Sequence, residues 1–136
     1  MKLNSYLSFD GRCEAAFKFY EKCLDGKIEG MFPYEGSPIA NDVPAEFRKK
    51  LMHATLVSGD QTLMGADAPP GRYQKPNGFS VTFNLKDVAK SERIFKSLSE
   101  GATVTMPIQE TFWAARFGMF VDQFGTPWMV NCEKAA

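Results

Sequence analysis

The strongest constraint on this chain is an internal repeat of one helical pattern, each copy of which ends at a glycine. Apolar residues recur at helical spacing from Cys13 to Cys23, and Gly26 follows; the same pattern returns from Val88 to Leu98, and Gly101 follows. A strand-like alternation of apolar and polar residues precedes each copy, at residues 3–9 and 79–85. The aligned pairs are Cys13/Val88, Phe19/Ile94, Tyr20/Phe95, Cys23/Leu98 and Gly26/Gly101. The sequence therefore predicts a structural duplication.

Each half reads as a strand, a helix and three further strands. One helix covers one face of a sheet only, so the other face has to be buried by the partner half or by a second chain. We therefore predict an α+β fold: a single domain over residues 1–136, built from a first βαβββ module at 1–67 and a second at 76–136. Their curved sheets are expected to form a cup, with the Pro- and Gly-rich residues 68–72 as the linker.

Composition excludes several classes of partner. The 136 residues carry 16 basic and 16 acidic side chains, a formal net charge of zero, and no run of Lys or Arg that would bind nucleic acid. No apolar run approaches the roughly 20 residues of a membrane span, and the N-terminus lacks the apolar segment of a signal peptide. A cytoplasmic protein with no nucleic-acid or membrane partner is expected.

The densest group of aromatic residues lies between Gln109 and Asn131, together with Glu110 and Arg116. Residues 124–127 read as a turn, because Gly and Pro separate two apolar runs. We expect a hairpin here, with strands near Arg116–Val121 and Trp128–Cys132. Aromatics at this density are typical of a core or of the wall of a small-molecule pocket.

Several motifs together resemble the glyoxalase/bleomycin-resistance, or vicinal-oxygen-chelate, superfamily, and in particular its PhnB-like branch. The resemblance covers essentially the whole chain. It implies two βαβββ modules around a cup and a homodimer. Members of this branch often carry the name 3-demethylubiquinone-9 3-methyltransferase, but the sequence has no Gly-rich loop for a nucleoside cofactor and the wrong element order for a doubly wound sheet. The motifs are residues 6–11, 15–20, 53–56 with 59–60, 109–113 and 122–128.

The resemblance also implies positions for a divalent metal, on the first and last strands of each half. In this sequence they fall near Ser5, Met64, Phe79 and Met129, none of which is a carboxylate or an imidazole. Divalent ions prefer oxygen and nitrogen ligands, which these side chains scarcely offer. We predict no metal site of the usual kind and no cofactor, and an atypical divalent metal is left open.

Two residues are candidates for acid/base chemistry. His53 is the one histidine, and histidine changes charge closest to neutral pH. Glu110 adjoins Phe112 and Trp113, and a carboxylate packed against aromatic rings loses solvation. The alternatives are a purely structural His53 and an ion pair between Glu110 and Arg116. The predicted ligand-binding residues are Met64, Trp113, Arg116, Phe117, Trp128 and Met129.

Three functions follow from these residues. The first is a metal-independent small-molecule binding protein with an aromatic and Met-lined cup. The second is an enzyme of the same superfamily, lyase or transferase-like, in which His53 and Glu110 transfer protons. The third is a protein-interaction module without a cavity. Whether the protein is an enzyme stays open at this point.

Overall fold

The computed structural model describes residues 1–135 and confirms the duplicated βαβββ order. Contacts divide the chain into two compact units, the first running from Met1 to Lys75 and the second beginning at Pro76. The first contains β1 (Ser5–Phe9), α1 (Cys13–Cys23), β2 (Lys27–Pro33), β3 (Leu51–Ser58) and β4 (Gln61–Asp67). The second contains β5 (Val81–Leu85), α2 (Val88–Leu98), β6 (Thr103–Gln109), β7 (Ala114–Val121) and β8 (Pro127–Glu133).

Both units use the same sheet topology. The first sheet has the strand order β1-β4-β3-β2 and the second the order β5-β8-β7-β6. In each, the first and last strands of the unit are parallel neighbours, and the remaining pairs are antiparallel. A parallel pair needs a crossover connection, and the helix begins that crossover in each unit. No helix within residues 1–135 has the length and apolar character needed to cross a bilayer.

The helix of the first unit packs on one face of its sheet through aromatic side chains. The Phe17 ring meets Phe9 edge-on at 6.1 Å between centroids, and Tyr20 lies 6.5 Å from Phe9. Gly65 on β4 allows this close approach, since a Cβ there would lie 2.8 Å from the Phe17 ring. Strand residues such as Phe9 and Gly65 therefore face the helix. Because side chains alternate along a strand, the residues next to them in sequence point to the opposite face of the sheet.

A buried carboxylate joins three segments of the first unit. Asp67 is 1% exposed and ends β4. Its Oδ1 accepts hydrogen bonds from the backbone N–H groups of Gly11 (3.0 Å) and Cys13 (2.9 Å), and its Oδ2 accepts one from Leu51 (2.9 Å). The carboxylate thus caps the N-terminus of α1, where the helix dipole favours a negative charge, and fixes the start of β3.

The second unit has the same kind of core around different residues. Phe95 of α2 meets Phe120 edge-on at 5.2 Å, over Gly118, where a Cβ would lie 2.5 Å from the Phe95 ring. Trp128 stacks on Phe83 at 5.3 Å. These contacts bury one face of the second sheet against its helix.

The predicted hairpin in the aromatic stretch is confirmed, and a second buried carboxylate holds its turn. Asp122 Oδ1 accepts from the backbone N–H groups of Phe124 (2.8 Å) and Thr126 (3.0 Å). Its Oδ2 accepts from the Trp128 indole N–H at 2.8 Å. Gly125 supplies the left-handed conformation of the turn, with φ at 94°.

Two strand boundaries differ from the sequence prediction. β1 begins at Ser5, so residues 3 and 4 lie outside it. β5 begins at Val81, so residues 79 and 80 lie outside it. Residues Ala45–Phe47 form a single 3-10 turn. The sequence reading also did not locate β6, whose Pro107 and register irregularities disrupt its alternation.

Replacing Asp67 by Asn should lower the free energy of unfolding by about 2 kcal/mol, because an amide nitrogen would face one of three buried N–H donors. Urea unfolding followed by circular dichroism measures this change. Asp60→Asn, an exposed matched control, should stay within about 0.5 kcal/mol. An Asp67→Asn protein as stable as the control would show that the carboxylate does not hold the unit together.

Candidate functional site

The face of each sheet that points away from its helix carries the candidate site. Leu7 and Phe9 of β1 are buried on the helix side, so Tyr6 and Ser8 lie on the other side. The register pairs Tyr6 with Met64, Met64 with Thr55, and His53 with Phe32. We call this surface the helix-free face of the first sheet: Tyr6, Ser8, Phe32, His53, Thr55 and Met64.

A hydrogen-bonded chain of three side chains crosses this face. The Tyr6 hydroxyl lies 3.1 Å from His53 Nδ1, and His53 Nε2 lies 2.9 Å from Thr55 Oγ1. The Tyr6 and His53 rings are 5.7 Å apart between centroids. Both imidazole nitrogens are therefore engaged, and the ring is held in one orientation.

The electrostatics of Tyr6 assign the proton in this chain. Burial, and next the nearby Cys13, raise the pKa of the Tyr6 phenol above its ordinary value. The phenol therefore stays protonated near neutral pH and can donate to His53 Nδ1; in that tautomer the hydrogen on Nε2 faces Thr55 Oγ1. The arrangement presents a fixed hydroxyl oxygen that can accept one further hydrogen bond from a ligand.

Apolar groups flank this polar chain. Phe32 is 55% exposed, and its ring lies over Gly30, where a Cβ would be 2.8 Å from the ring. Met64 lies between Tyr6 and Thr55 in the register. A polar strip bordered by an aromatic ring and a thioether is the usual composition of a small-molecule site.

The helix-free face of the second sheet follows from its register in the same way. It consists of two rows across β5, β8, β7 and β6: Thr82, Met129, Met119 and Met106, and then Asn84, Asn131, Phe117 and Gln109. Trp113 meets Phe117 at 5.3 Å, and Phe112 meets Trp113 at 4.8 Å. Thioethers occupy one row, and amides with an aromatic ring occupy the other.

The predicted ligand-binding residues divide between the two sides of the sheets. Met64, Met129 and Phe117 lie on helix-free faces, and Trp113 packs beside Phe117. Trp128 is 1% exposed on the helix side, where its indole N–H is bonded to Asp122. Arg116 also lies on the helix side and pairs with Glu92 at 3.0 Å.

The two predicted acid/base residues have different surroundings. His53 lies on the first sheet with Tyr6 and Thr55 as partners. Glu110 belongs to the second unit and is exposed, so the burial assumed from its aromatic neighbours is not found. The alternative ion pair with Arg116 is not formed, because Arg116 contacts Glu92 of α2 instead.

Sequence reasoning missed Tyr6, Asn84 and Asn131. Each lies on a strand whose alternation, together with its pairing, places it on a helix-free face. The available signal was the polar residue between apolar neighbours, as in Phe83-Asn84-Leu85 and Val130-Asn131-Cys132. Such a polar residue can be assigned to a face of the sheet only when the pairing of the strands is known, and the sequence alone does not give that pairing.

Comparison with known proteins now decides the family. The sequence profile of the Glyoxalase/Bleomycin resistance protein/Dioxygenase superfamily matches residues 2–130. The chain belongs to this superfamily. Protein YjdN of Escherichia coli K12 is 31% identical over 142 residues, with 98% of this chain and 97% of YjdN covered.

Solved structures agree with this assignment. The crystal structure of protein PA1353 from Pseudomonas aeruginosa has a TM-score of 0.90 and 44% identity, with 99% of each chain covered. The PhnB protein from Bacillus cereus has a TM-score of 0.80 at 20% identity, with 97% of this chain and 99% of that chain covered, and so shows the shared fold. The expected superfamily is thereby confirmed, and a PhnB protein is among the structures that share its fold.

The superfamily implies a metal, and the side chains at the corresponding strand positions do not fit one. The structure corrects two of those positions: Ser5 lies on the helix side, opposite Leu63, and Phe79 precedes β5. The helix-free partners of Met64 and Met129 are Tyr6 and Thr82. Two thioethers, a phenol and a hydroxyl are poor ligands for a divalent ion. Within residues 1–135, no three His, Cys, Asp or Glu side chains are grouped to hold one.

Cys13 is a buried thiol near Tyr6, and it should be unreactive in the native protein. Burial and the neighbouring Asp67 carboxylate raise the pKa of the Cys13 thiol far above its ordinary value, which keeps the nucleophilic thiolate scarce. Iodoacetamide labelling followed by peptide mass spectrometry should modify the half-buried Cys23 before Cys13. Labelling Cys13 in urea is the positive control. Equal labelling rates of the two cysteines in native protein would contradict the assignment.

Proposed function

We propose that this protein binds a small molecule without a metal, on the helix-free faces of its sheets. The observation that carries the proposal is the chain from Tyr6 through His53 to Thr55, set between Phe32 and Met64. Such a chain orients a polar group of a ligand, while the ring and the thioether contact its apolar part.

The charge near the Tyr6–His53–Thr55 chain defines the ligand further. The six side chains named for this face include no Lys, Arg, Asp or Glu, and Lys27 lies farther along the face, opposite Val57. A strongly charged ligand would lose hydration there without gaining an ion pair. The expected ligand is therefore uncharged or weakly charged, planar and aromatic, with a hydrogen-bond donor directed at the Tyr6 oxygen.

The comparisons support binding as a general activity of this fold. The superfamily description names bleomycin resistance. A fosfomycin resistance protein from Mesorhizobium loti shares the fold at a TM-score of 0.63 and 11% identity. Those names belong to other proteins. They support a small molecule as the ligand class and leave its identity to experiment.

A second candidate function is proton transfer to or from a small substrate, and the Tyr6–His53 contact favours it. A neutral imidazole linked to a phenol can accept a proton and pass one on, which is the requirement for general acid/base catalysis. Glu110, the second residue proposed for this role, is exposed and belongs to the other unit. We therefore rank this function second, with Tyr6 as a further candidate for the partner group.

Homodimer formation, implied by the family resemblance, remains part of the proposal. The Phe112–Trp113 pair is 87% and 48% exposed, respectively, and apolar rings at that exposure are candidates for a subunit contact. A self-complementary contact between two copies is the commonest arrangement of such interfaces.

The binding proposal predicts a shared dependence of ligand affinity on Tyr6 and His53. In a thermal-shift screen of aromatic fragments, a fragment at a hundred times its dissociation constant should stabilise the protein by about 2.7 kcal/mol, with and without a chelator. Tyr6→Phe, which removes one hydroxyl, should weaken each hit that binds the first sheet by about tenfold, or about 1.4 kcal/mol. His53→Ala should weaken it at least as much.

Lys18→Ala on the exposed side of α1 is the matched control and should leave every hit unchanged. Hits that disappear on chelation would contradict metal independence. If both Tyr6→Phe and His53→Ala left the affinity of every hit unchanged, the binding site would not lie on the helix-free face of the first sheet.

The dimer predicts that sedimentation equilibrium of the wild-type protein gives twice the chain mass. A Phe112→Ser variant should shift this species toward the monomer, because it removes the more exposed ring of the pair. A monomeric wild-type protein at micromolar concentration would contradict the proposed assembly.

A further inference from the structure

An aspartate or asparagine that precedes a glycine is a point of chemical weakness in a polypeptide chain. The backbone nitrogen of the glycine can attack the side-chain carbonyl of the preceding residue, because glycine has no side chain to obstruct the approach. Both groups belong to one short stretch of chain, so the reaction is intramolecular. Three such pairs occur in this sequence: Asp10–Gly11, Asp25–Gly26 and Asn77–Gly78.

The fold holds the attacking nitrogen in two of these three pairs. The Gly11 N–H donates to Asp67 Oδ1 at 3.0 Å, and the Gly26 N–H donates to the Glu21 carbonyl oxygen at 3.0 Å. A nitrogen held in this way loses its hydrogen bond when it turns toward the preceding side chain, and that loss is costly. In addition, an ionised carboxylate is a much poorer target for a nucleophile than a primary amide. The two aspartate pairs are therefore protected in the folded protein.

The pair Asn77–Gly78 has neither form of protection. It lies between β4 and β5, outside every helix and strand, and both residues are exposed. Among residues 1–135, no group accepts a hydrogen bond from the Gly78 N–H. A Cβ placed on Gly78 would meet no atom within 4 Å apart from its chain neighbours. The side-chain amide and the backbone nitrogen are therefore free to approach each other.

We propose that Asn77 is a site of spontaneous deamidation. The Gly78 nitrogen forms a bond to Asn77 Cγ, the bond from Cγ to Nδ2 breaks, and ammonia leaves with the proton of the Gly78 N–H. The product is a five-membered succinimide, which water then opens. Cleavage between Cγ and the Gly78 nitrogen gives aspartate. Cleavage between the backbone carbonyl carbon and that nitrogen gives isoaspartate, in which the chain continues through the former side chain.

The other four asparagines lack this combination of features. Each precedes a residue that has a side chain: Asn4, Asn41, Asn84 and Asn131. Asn84 and Asn131 also lie within paired strands. The N–H of Asp42, which follows Asn41, donates to a backbone carbonyl at 3.0 Å. Deamidation should therefore be confined largely to Asn77.

The modification changes both the charge and the backbone of the segment that connects the two units. The formal net charge of the chain is zero, so one new carboxylate leaves it with a net negative charge. Isoaspartate also lengthens the backbone by one carbon between β4 and β5. This site lies outside both sheets and does not involve Tyr6 or His53, so its test is independent of the binding proposal.

Oxygen-18 water provides a direct test, because the water that opens the succinimide leaves heavy oxygen in the product. The full chain is incubated in this water at neutral pH, and its peptides are analysed by mass spectrometry. The Asn77 peptide should separate into aspartate and isoaspartate forms. Its deamidated fraction should exceed that of each other asparagine peptide by at least tenfold. A parallel sample in urea frees the Gly11 and Gly26 nitrogens, so heavy oxygen should then also enter at Asp10 and Asp25.

Asn77→Gln is the matched control, because glutamine keeps the amide but has to close a six-membered ring, which is much slower. Uptake of heavy oxygen at position 77 should fall to background. Gly78→Ala should slow the reaction at least tenfold, since a methyl group obstructs the attacking nitrogen. Equal rates in the wild type and Gly78→Ala, or a native rate at Asn77 at least tenfold below its rate in urea, would overturn the proposal.

Discussion

The first unit depends on the buried carboxylate of Asp67. It ends β4, caps α1 and holds the first residue of β3 by one side chain, through three backbone N–H donors. The consequence reaches the candidate site directly. Leu51, held by Asp67, lies two residues before His53, so the anchor that starts β3 also fixes where the imidazole meets Tyr6.

The duplication preserves the architecture and changes the chemistry. Both units have one helix on one face of a four-stranded sheet. In the first, the helix-free face presents a phenol, an imidazole and a hydroxyl in sequence. In the second, the corresponding strands present two amides and a row of thioethers. The two units thus share one sheet topology but present surfaces with different hydrogen-bonding groups.

The sequence was sufficient for elements whose signals are local. Both helices were predicted with their observed bounds, because apolar periodicity and a following glycine lie within one short stretch. The sheet topology agrees with the element order read from the sequence, since neither four-stranded sheet is doubly wound.

The site was less predictable, because it depends on register and on distant partners. The resemblance placed a site position near Ser5, but Tyr6 is the residue that shares a face with Met64, because one position along a strand reverses the face. Tyr6 and His53 are 47 residues apart in the sequence, and no local sequence pattern predicts their contact. Arg116 pairs with Glu92 rather than Glu110, because its strand turns it toward α2.

The central claim is most directly tested by a crystal structure of the protein with a fragment bound. Our account predicts ligand atoms within hydrogen-bonding distance of the Tyr6 hydroxyl, between Phe32 and Met64, with no cation; a ligand held by a metal ion, or bound on the helix side of the sheet, would contradict it.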